Sequence, residues 1–464
     1  MQNACGDSGP PSPGAALPGA TGTAADHQQL DRRLGLTQLV VYGMLAVVPI
    51  APWAVYGFVA RESFGMVPLV YAIGIIAMLF TALSYKQMSS VFPIAGSVYS
   101  YVQRGLHPYA GFVAGWMILA DYLLTPALIY AFSASWLQGL LPGVPLWVWV
   151  VAFVVINTSV NVLGIRLQSR THLSLLAIEL VALVVFLALA ISFVFVAHHG
   201  AGGWSVAPFW QPGHFSSGFI ASATSIAVLS FLGFDAISTL AEETRNPRVT
   251  VGNATVLTLV LLGALFIFET YVAALAHPDY RTLDPELGFF QIARDVGGRW
   301  LYVALILVNV IAAGIANALV AQTAIARILF SMGRDRVLPG ASFLAHVHAR
   351  FKTPVNATLV VAALTLVLAL LVPGKQLIKL VNFGALSAFM LLNVTVFVFF
   401  FVKRKRHDRP FRYVVFPAAG LVIVAFVWSG FDRYTFLFGG LWLVAGLVLG
   451  AFKFRAGTPF EVPL

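Results

Sequence analysis

The chain has 464 residues, 59% of them apolar and only 10% Asp, Glu, Lys or Arg, where an ordinary soluble domain carries roughly 25% charged residues. Its 18 acidic and 28 basic residues are too few to clothe a 50 kDa particle in water, and a mean hydropathy of +0.87 makes lipid the main solvent. A soluble enzyme or binding domain is excluded, and the net charge of +10 does not imply a nucleic-acid partner, because the basic residues collect in loops on one side.

Residues 1–35 are rich in Gly, Pro, Ala and Ser and lack the apolar stretch of a signal peptide, so they read as a disordered cytoplasmic tail. The single cysteine, Cys5, lies there, leaving no disulfide framework and no cysteine metal site. Apolar stretches long enough to cross about 30 Å of hydrocarbon then follow at 36–60, 66–92, 108–138, 146–164 and 168–198. A second group lies at 216–241, 249–276, 299–332, 354–373 and 375–402, and a last pair at 411–430 and 433–454, before a tail at 455–464. These twelve candidates predict an all-α polytopic membrane protein. With the first residues inside, 21 Lys and Arg fall on the inner side and 7 outside, which places both termini in the cytoplasm. The run Lys403-Arg404-Lys405-Arg406 is the strongest anchor and faces anionic lipid headgroups.

Two spans carry residues that resist a regular helix. Span 1 reads Val47-Val48-Pro49-Ile50-Ala51-Pro52, and span 6 reads Ser230-Phe231-Leu232-Gly233-Phe234-Asp235. A proline removes a backbone donor, and an aspartate at mid-membrane costs about 2.5–3.5 kcal/mol on insertion scales. Such backbone is tolerated only where it lines protein or a watery cavity. The interruptions are five spans apart, so 36–198 and 216–402 read as two inverted five-span units with 411–454 appended. Paired broken helices in inverted units indicate a secondary transporter whose site lies at the midplane.

Four acids fall within spans: Asp121, Glu179, Asp235 and Glu269. Asp121 and Asp235 are candidates to neutralise a substrate ammonium, with Tyr122, Phe231 and Phe234 supplying ring faces. Glu179 is the candidate for proton coupling, since a carboxylate at low dielectric exchanges a proton near neutral pH. Glu269, near the outer end of span 7, reads as a vestibule or structural acid. Residues 285–297 have helical patterning and form a candidate lid outside. His198, His199, His214, His346 and His348 have neither the count nor the spacing of a zinc site. No G-x-x-x-x-G-K-[ST], H-E-x-x-H or G-x-S-x-G occurs, which disfavours ATP-driven transport and hydrolytic chemistry. No cofactor is expected beyond a coupling ion, H+.

Phe231-x-Gly233-Phe234-Asp235 followed by Ala241-Glu242-Glu243-Thr244-x-Asn246-Pro247 resembles the sixth helix and following loop of the amino acid-polyamine-organocation permeases. The resemblance continues in Phe92-Pro93-x-Ala95-Gly96-Ser97-x-Tyr99, Gly111-Phe112-x-x-Gly115-Trp116 and Asn161-x-x-Gly164-Ile165-Arg166. It implies the leucine-transporter-type five-plus-five inverted repeat with two extra C-terminal helices. Asp121-Tyr122 and the proline-containing span 1 look most like the bacterial putrescine importer branch. Many amino-acid members carry a Gly-Ser-Gly turn in helix 1 whose amides hold the substrate carboxylate; here Val47, Val48, Pro49 and Ile50 stand in its place, which favours a substrate without one. The resemblance also aligns Glu179 with a lysine that carries the coupling proton in several members, and Asp235 with a gating acid of the arginine/agmatine branch. The expected function is import of putrescine-like amines or cationic amino acids by proton symport. The alternatives are a neutral or other amino-acid permease or antiporter of the same fold, and a transport-independent sensor.

Overall fold

The computed structural model describes residues 32–164, 169–213, 216–334, 341–351 and 353–455. The expected tails 1–31 and 456–464, with Cys5, and also Ile165, Arg166 and His214, lie outside the described residues. The described residues are helical apart from loops and one isolated bridge between Leu34 and Thr244.

The first expected span is two helices, α1 (Leu36–Val47) and α2 (Pro52–Glu62), bent by 57° at the break. Then come α3 (Val67–Val91), a short α4 (Ser97–Gly105), α5 (Pro108–Leu140), α6 (Leu146–Leu163) and α7 (Ser169–Ile191). Span 6 starts as α8 (Ser217–Ala227), tightens into a 3-10 turn at 228–231, breaks at Leu232-Gly233 and resumes as 3-10 helix over 234–243. It is followed by α9 (Pro247–Ala276) and α10 (Gly288–Asn309), the latter kinked at Gly298. A π-helix over 310–317 joins α10 to α11 (Ala318–Arg334). The remainder is α12 (Ala341–Leu344), α13 (Val355–Leu371), α14 (Gly374–Val396), α15 (Phe416–Trp428) and α16 (Arg433–Arg455).

Prolines set many helix starts: Pro52, Pro108 and Pro247 open their helices, and Pro145, Pro354 and Pro373 stand just before theirs. The missing N–H costs nothing in a first turn, where no helical acceptor exists. Among the described residues ten helical stretches are long and apolar enough to cross a membrane, and the bent α1–α2 pair makes an eleventh if counted as one. The remaining expected span coincides with α13, an apolar helix of 17 residues.

The broken span 1 packs on the broken span 6, α3 on α9, α5 on α11, and α6 on α13. Each of these pairs is separated by five spans, the pattern that two interleaved five-span units produce. The appended α16 is fastened to α5 by Trp116 and Trp442, whose rings stack at 4.6 Å. Each of these indoles donates to the other's carbonyl, at 2.8 and 3.0 Å.

On the face away from the first residues, the buried Lys379 of α14 pairs with Asp432 at 3.2 Å, and Lys375 bonds Glu62 at the end of α2. Partial burial opposes the charge on Asp432. The Thr435 N–H and the Lys379 charge outweigh it and hold the carboxyl below its ordinary value. Its stabilising contribution is therefore present above the unfolded carboxylate pKa of about 3.9 and lost as pH falls through the lower folded value. Asp432→Asn would leave Lys379 buried without its anion; because Asp432 is itself about a third exposed, the expected cost is roughly 1–3 kcal/mol rather than the larger full-burial figure. Thermal unfolding of the purified protein should show this loss, while the exposed Asp408→Asn should stay within about 0.5 kcal/mol of the parent.

Candidate functional site

The two breaks meet. A methyl group placed on Gly233 would stand 2.6 Å from the Ala46 carbonyl oxygen, so only a bare α-carbon permits the approach, and Gly233 has φ of 106°. Across from it Val48 has φ of 70°, a conformation that a β-branched residue adopts only under constraint. The breaks thus fall within the two segments that the sequence marked.

Few amides remain for an anion here. The Val48 N–H bonds the Met44 carbonyl and the Ala51 N–H bonds the Val48 carbonyl, while Pro49 and Pro52 have none. In span 6, the backbone groups of Gly233 and Asp235 bond to the Asp235 carboxylate itself. The C-terminal end of α1 carries the negative end of its dipole. Pro126, inside α5, leaves the Tyr122 carbonyl without its helical donor.

Asp121 lies on α5 and accepts a 3.0 Å hydrogen bond from Thr125. Gly384 of α14 presses on the backbone behind it: a methyl there would lie 2.5 Å from the Met117 carbonyl. Asp121 and Asp235 are close enough to feel each other's charge, and Tyr122 interacts with both. Asp235 also accepts from Ser97 of α4 at 3.1 Å and from Tyr85 of α3. Asp121, Tyr122, Val48, Gly233 and Asp235 therefore share one site. Val47, Pro49 and Ile50 are buried in the wall of the break.

Other expected site residues lie elsewhere. Ser230 turns to the Tyr71 hydroxyl at 2.8 Å. Phe231 is fully buried against Tyr71 and Phe266, and Phe234 against Tyr85 and Phe389, so both rings brace the break from behind rather than lining it. Glu179 is buried on α7 without a hydrogen-bond or ion-pair partner among the described residues, in contact with neither aspartate. An open apolar hollow of about 360 Å³ between α7 and α10, lined by residues such as Val181 and Trp300, faces away from the aspartates.

Sequence reasoning missed Tyr42, Tyr85, Ser97, Thr125 and Thr239. Tyr42 of α1 bonds Thr239 and interacts with Asp235. Only two of these had a signal: Ser97 in the glycine-containing Ala95-Gly96-Ser97, and Thr125 beside a mid-helix proline. The others are brought in by packing.

Access differs on the two sides. Toward the face where α1 starts, Tyr42 and Thr239 are exposed, and Asp121, Tyr122 and Asp235 are half-buried. On the opposite side, Trp53 and Tyr56 of α2 are buried beneath the helix over 288–297. Trp53 stacks on Phe289 at 4.7 Å, Phe186 lies 4.6 Å from the same ring, and Trp136 packs on Phe290. The segment 285–297, expected as a lid, is helical from Gly288 and packs over Trp53 and Trp136.

The family model described as amino acid permease matches residues 38–448. The chain is 32% identical over 424 residues to the low-affinity putrescine importer PlaP of Escherichia coli, covering 90% of this chain and 93% of that protein. It is 26% identical to the branched-chain amino acid permease BcaP of Bacillus subtilis, covering 91% and 93%. It is 27% identical to human cationic amino acid transporter 4, covering 82% of this chain and 62% of that protein.

The strain at Val48 yields a prediction. Val48→Gly would relieve about 1–2 kcal/mol of left-handed backbone cost, against roughly 0.4–1 kcal/mol of added freedom in the unfolded chain. Its unfolding temperature should equal or exceed that of the parent; a clear fall would show that the valine side chain's packing outweighs the backbone strain.

Proposed function

The chain belongs to the amino acid permease family, a family of membrane transporters and not of enzymes, and on that premise we propose that it imports small organic amines by proton symport. Putrescine-like diamines come first and cationic amino acids second. The carrying observation is the pair Asp121 and Asp235 beside a break where Pro49 and Pro52 have no amide hydrogen and the Val48, Ala51, Gly233 and Asp235 amides are already engaged. Such a site offers acceptors to an ammonium and little to a carboxylate. The named activity of the putrescine importer among its relatives supports the diamine reading. That of the cationic amino acid transporters supports the second choice, whose substrates share the positive charge.

In this reading the face at the start of α1, where the basic residues are in excess, is cytoplasmic, and the membrane is the bacterial inner membrane. The closed aromatic lid is then external, and the arrangement described above is the inward-facing state. In the outward-facing state the amine would enter between α2, α8 and the lid and meet Asp121 across the breaks. The lid would then close, and separation of the cytoplasmic halves, tied by Asp235, Ser97 and Tyr42, would release it. A cation entering a cell that is negative inside gains about 2.3 kcal/mol per charge per 100 mV. Glu179, buried with no cation beside it, is the coupling carboxylate in this scheme.

The branched-chain permease among the relatives favours a second reading, a neutral amino-acid permease of the same fold. Uptake of labelled putrescine into proteoliposomes under an imposed pH gradient, with unlabelled amino acids as competitors, separates the two. Amine import predicts gradient-driven uptake that leucine and valine leave unchanged. Uptake of a branched-chain amino acid with no putrescine transport would replace it with the second reading. Asp121→Asn and Asp235→Asn should each lower putrescine uptake at least about tenfold, the loss of about 1.4 kcal/mol or more expected when a charge pair loses one partner. Glu179→Gln should keep putrescine exchange at equal pH but lose accumulation driven by the gradient. Accumulation at the parent level would remove Glu179 from the coupling step.

A further inference from the structure

Glu269 of α9 is fully buried. Its Oε2 accepts a 3.1 Å hydrogen bond from the Trp53 indole N–H, and its Oε1 has no partner. On one side Trp53 is the second residue of α2, directly after the break, and its ring lies stacked beneath Phe289 of the external lid. On the other side Glu269 is within electrostatic reach of Tyr71, whose hydroxyl holds Ser230 just before the second break. A single carboxyl group thus stands between the external half of span 1, the lid and the external half of span 6.

The surroundings of Glu269 are poor in charge. Tyr71 of α3 is the titratable group that interacts with it among the described residues, and Tyr71 in turn interacts with Tyr56 of α2. Glu179 on α7, Asp235 on the 234–243 segment, and Arg294, Asp295 and Arg299 on α10 make no hydrogen bond or ion pair with it. Phe186 of α7 and Phe289 of α10 complete the ring cluster over Trp53. One neutral N–H cannot replace the water shell of a carboxylate, whereas a neutral acid needs far less.

We infer that Glu269 is a proton-binding latch on the external side: bound to a proton it lets Trp53 and the lid close over it, and losing that proton to external water favours the open lid. The proton here conditions closure and is returned to the side from which it came. It is separate from the coupling step assigned to Glu179, and the inference is independent of which substrate is carried.

The test needs no substrate. In a Cys5→Ser background, Ala60→Cys places a reporter thiol on α2 at a residue that is 1% exposed under the closed external loops. Its labelling by an impermeant thiol reagent is followed from about pH 6 to about pH 9, with and without Glu269→Gln. The glutamine variant keeps the neutral shape and corrects for ionisation of the thiol. The ratio of parent to variant labelling rates should be near one at the acid end and rise at least about threefold at the alkaline end, because only the parent loses a proton that closure requires. A flat ratio would overturn the inference even if putrescine uptake proceeds. Should Glu269→Gln fail to fold, Trp53→Phe retains the stacked ring and removes the N–H, which weakens closure in either protonation state. Labelling should then accelerate at a lower pH than in the parent, and an unshifted profile would count equally against the latch.

Discussion

Inside hydrocarbon every backbone N–H and C=O needs a partner, and this chain breaks that rule deliberately at two places that can satisfy it only through each other and the surrounding helices. The contact of Gly233 with the Ala46 carbonyl is the constraint from which the rest follows. It brings two interrupted helices together, ends α1 with free acceptors, and turns Asp235 back onto its own amides. The flanking helices then have to supply what the breaks lack: Asp121 and Tyr122 from α5, Tyr85 from α3 and Ser97 from α4.

The two sides of that junction use different physics. The side covered by the helix over 288–297 is closed by apolar rings, with Trp53, Phe186 and Phe289 in one cluster and Trp136 on Phe290 beside it. Stacked and tilted aromatic pairs of this kind gain both from burial and from ring geometry. The other side is held by hydrogen bonds from Ser97 and Tyr85 to Asp235 and between Tyr42 and Thr239, the last two exposed. Polar contacts near water exchange with solvent at little net cost, whereas the ring cluster opens only by exposing apolar surface. A transporter that must open each side in turn needs a further term to release the external cluster, and a carboxyl group beneath Trp53 is suitably placed to supply it.

Glu179 and Glu269 illustrate how differently two buried carboxyls can stand. Glu179 is on α7 with no polar partner, close to the apolar outer surface where Ala177 and Ile178 are exposed. Glu269 is linked through one indole to the helix that follows the break. Their sequence surroundings, both apolar, give no hint of this difference, because an acid's role in a helical bundle depends on which neighbouring helix its face meets.

Much of the architecture was legible before any coordinates. Long apolar stretches, prolines at their starts and a bias of basic residues toward one side follow from the energetics of single segments in lipid, and those are local in sequence. The break positions were legible for the same reason: Pro49, Pro52 and Gly233 act on their own backbone. The short α4 and the kink at Gly298 were not anticipated, since neither has the length that hydropathy registers. Asp121, Tyr122, Val48 and Asp235, which lie together at the breaks, stand out in the sequence because a carboxylate or a broken helix at mid-membrane is costly wherever it points. Phe231 packs on Tyr71 and Phe266 and Phe234 on Tyr85 and Phe389, contacts the sequence does not foretell, while Tyr42 and Tyr85, from spans with no such mark, interact with Asp235. Composition and local backbone chemistry thus determine that this chain crosses a membrane and where its helices must break. Which side of each helix meets the breaks is decided only when the helices pack, because rotation about a helix axis leaves hydropathy unchanged and alters every contact.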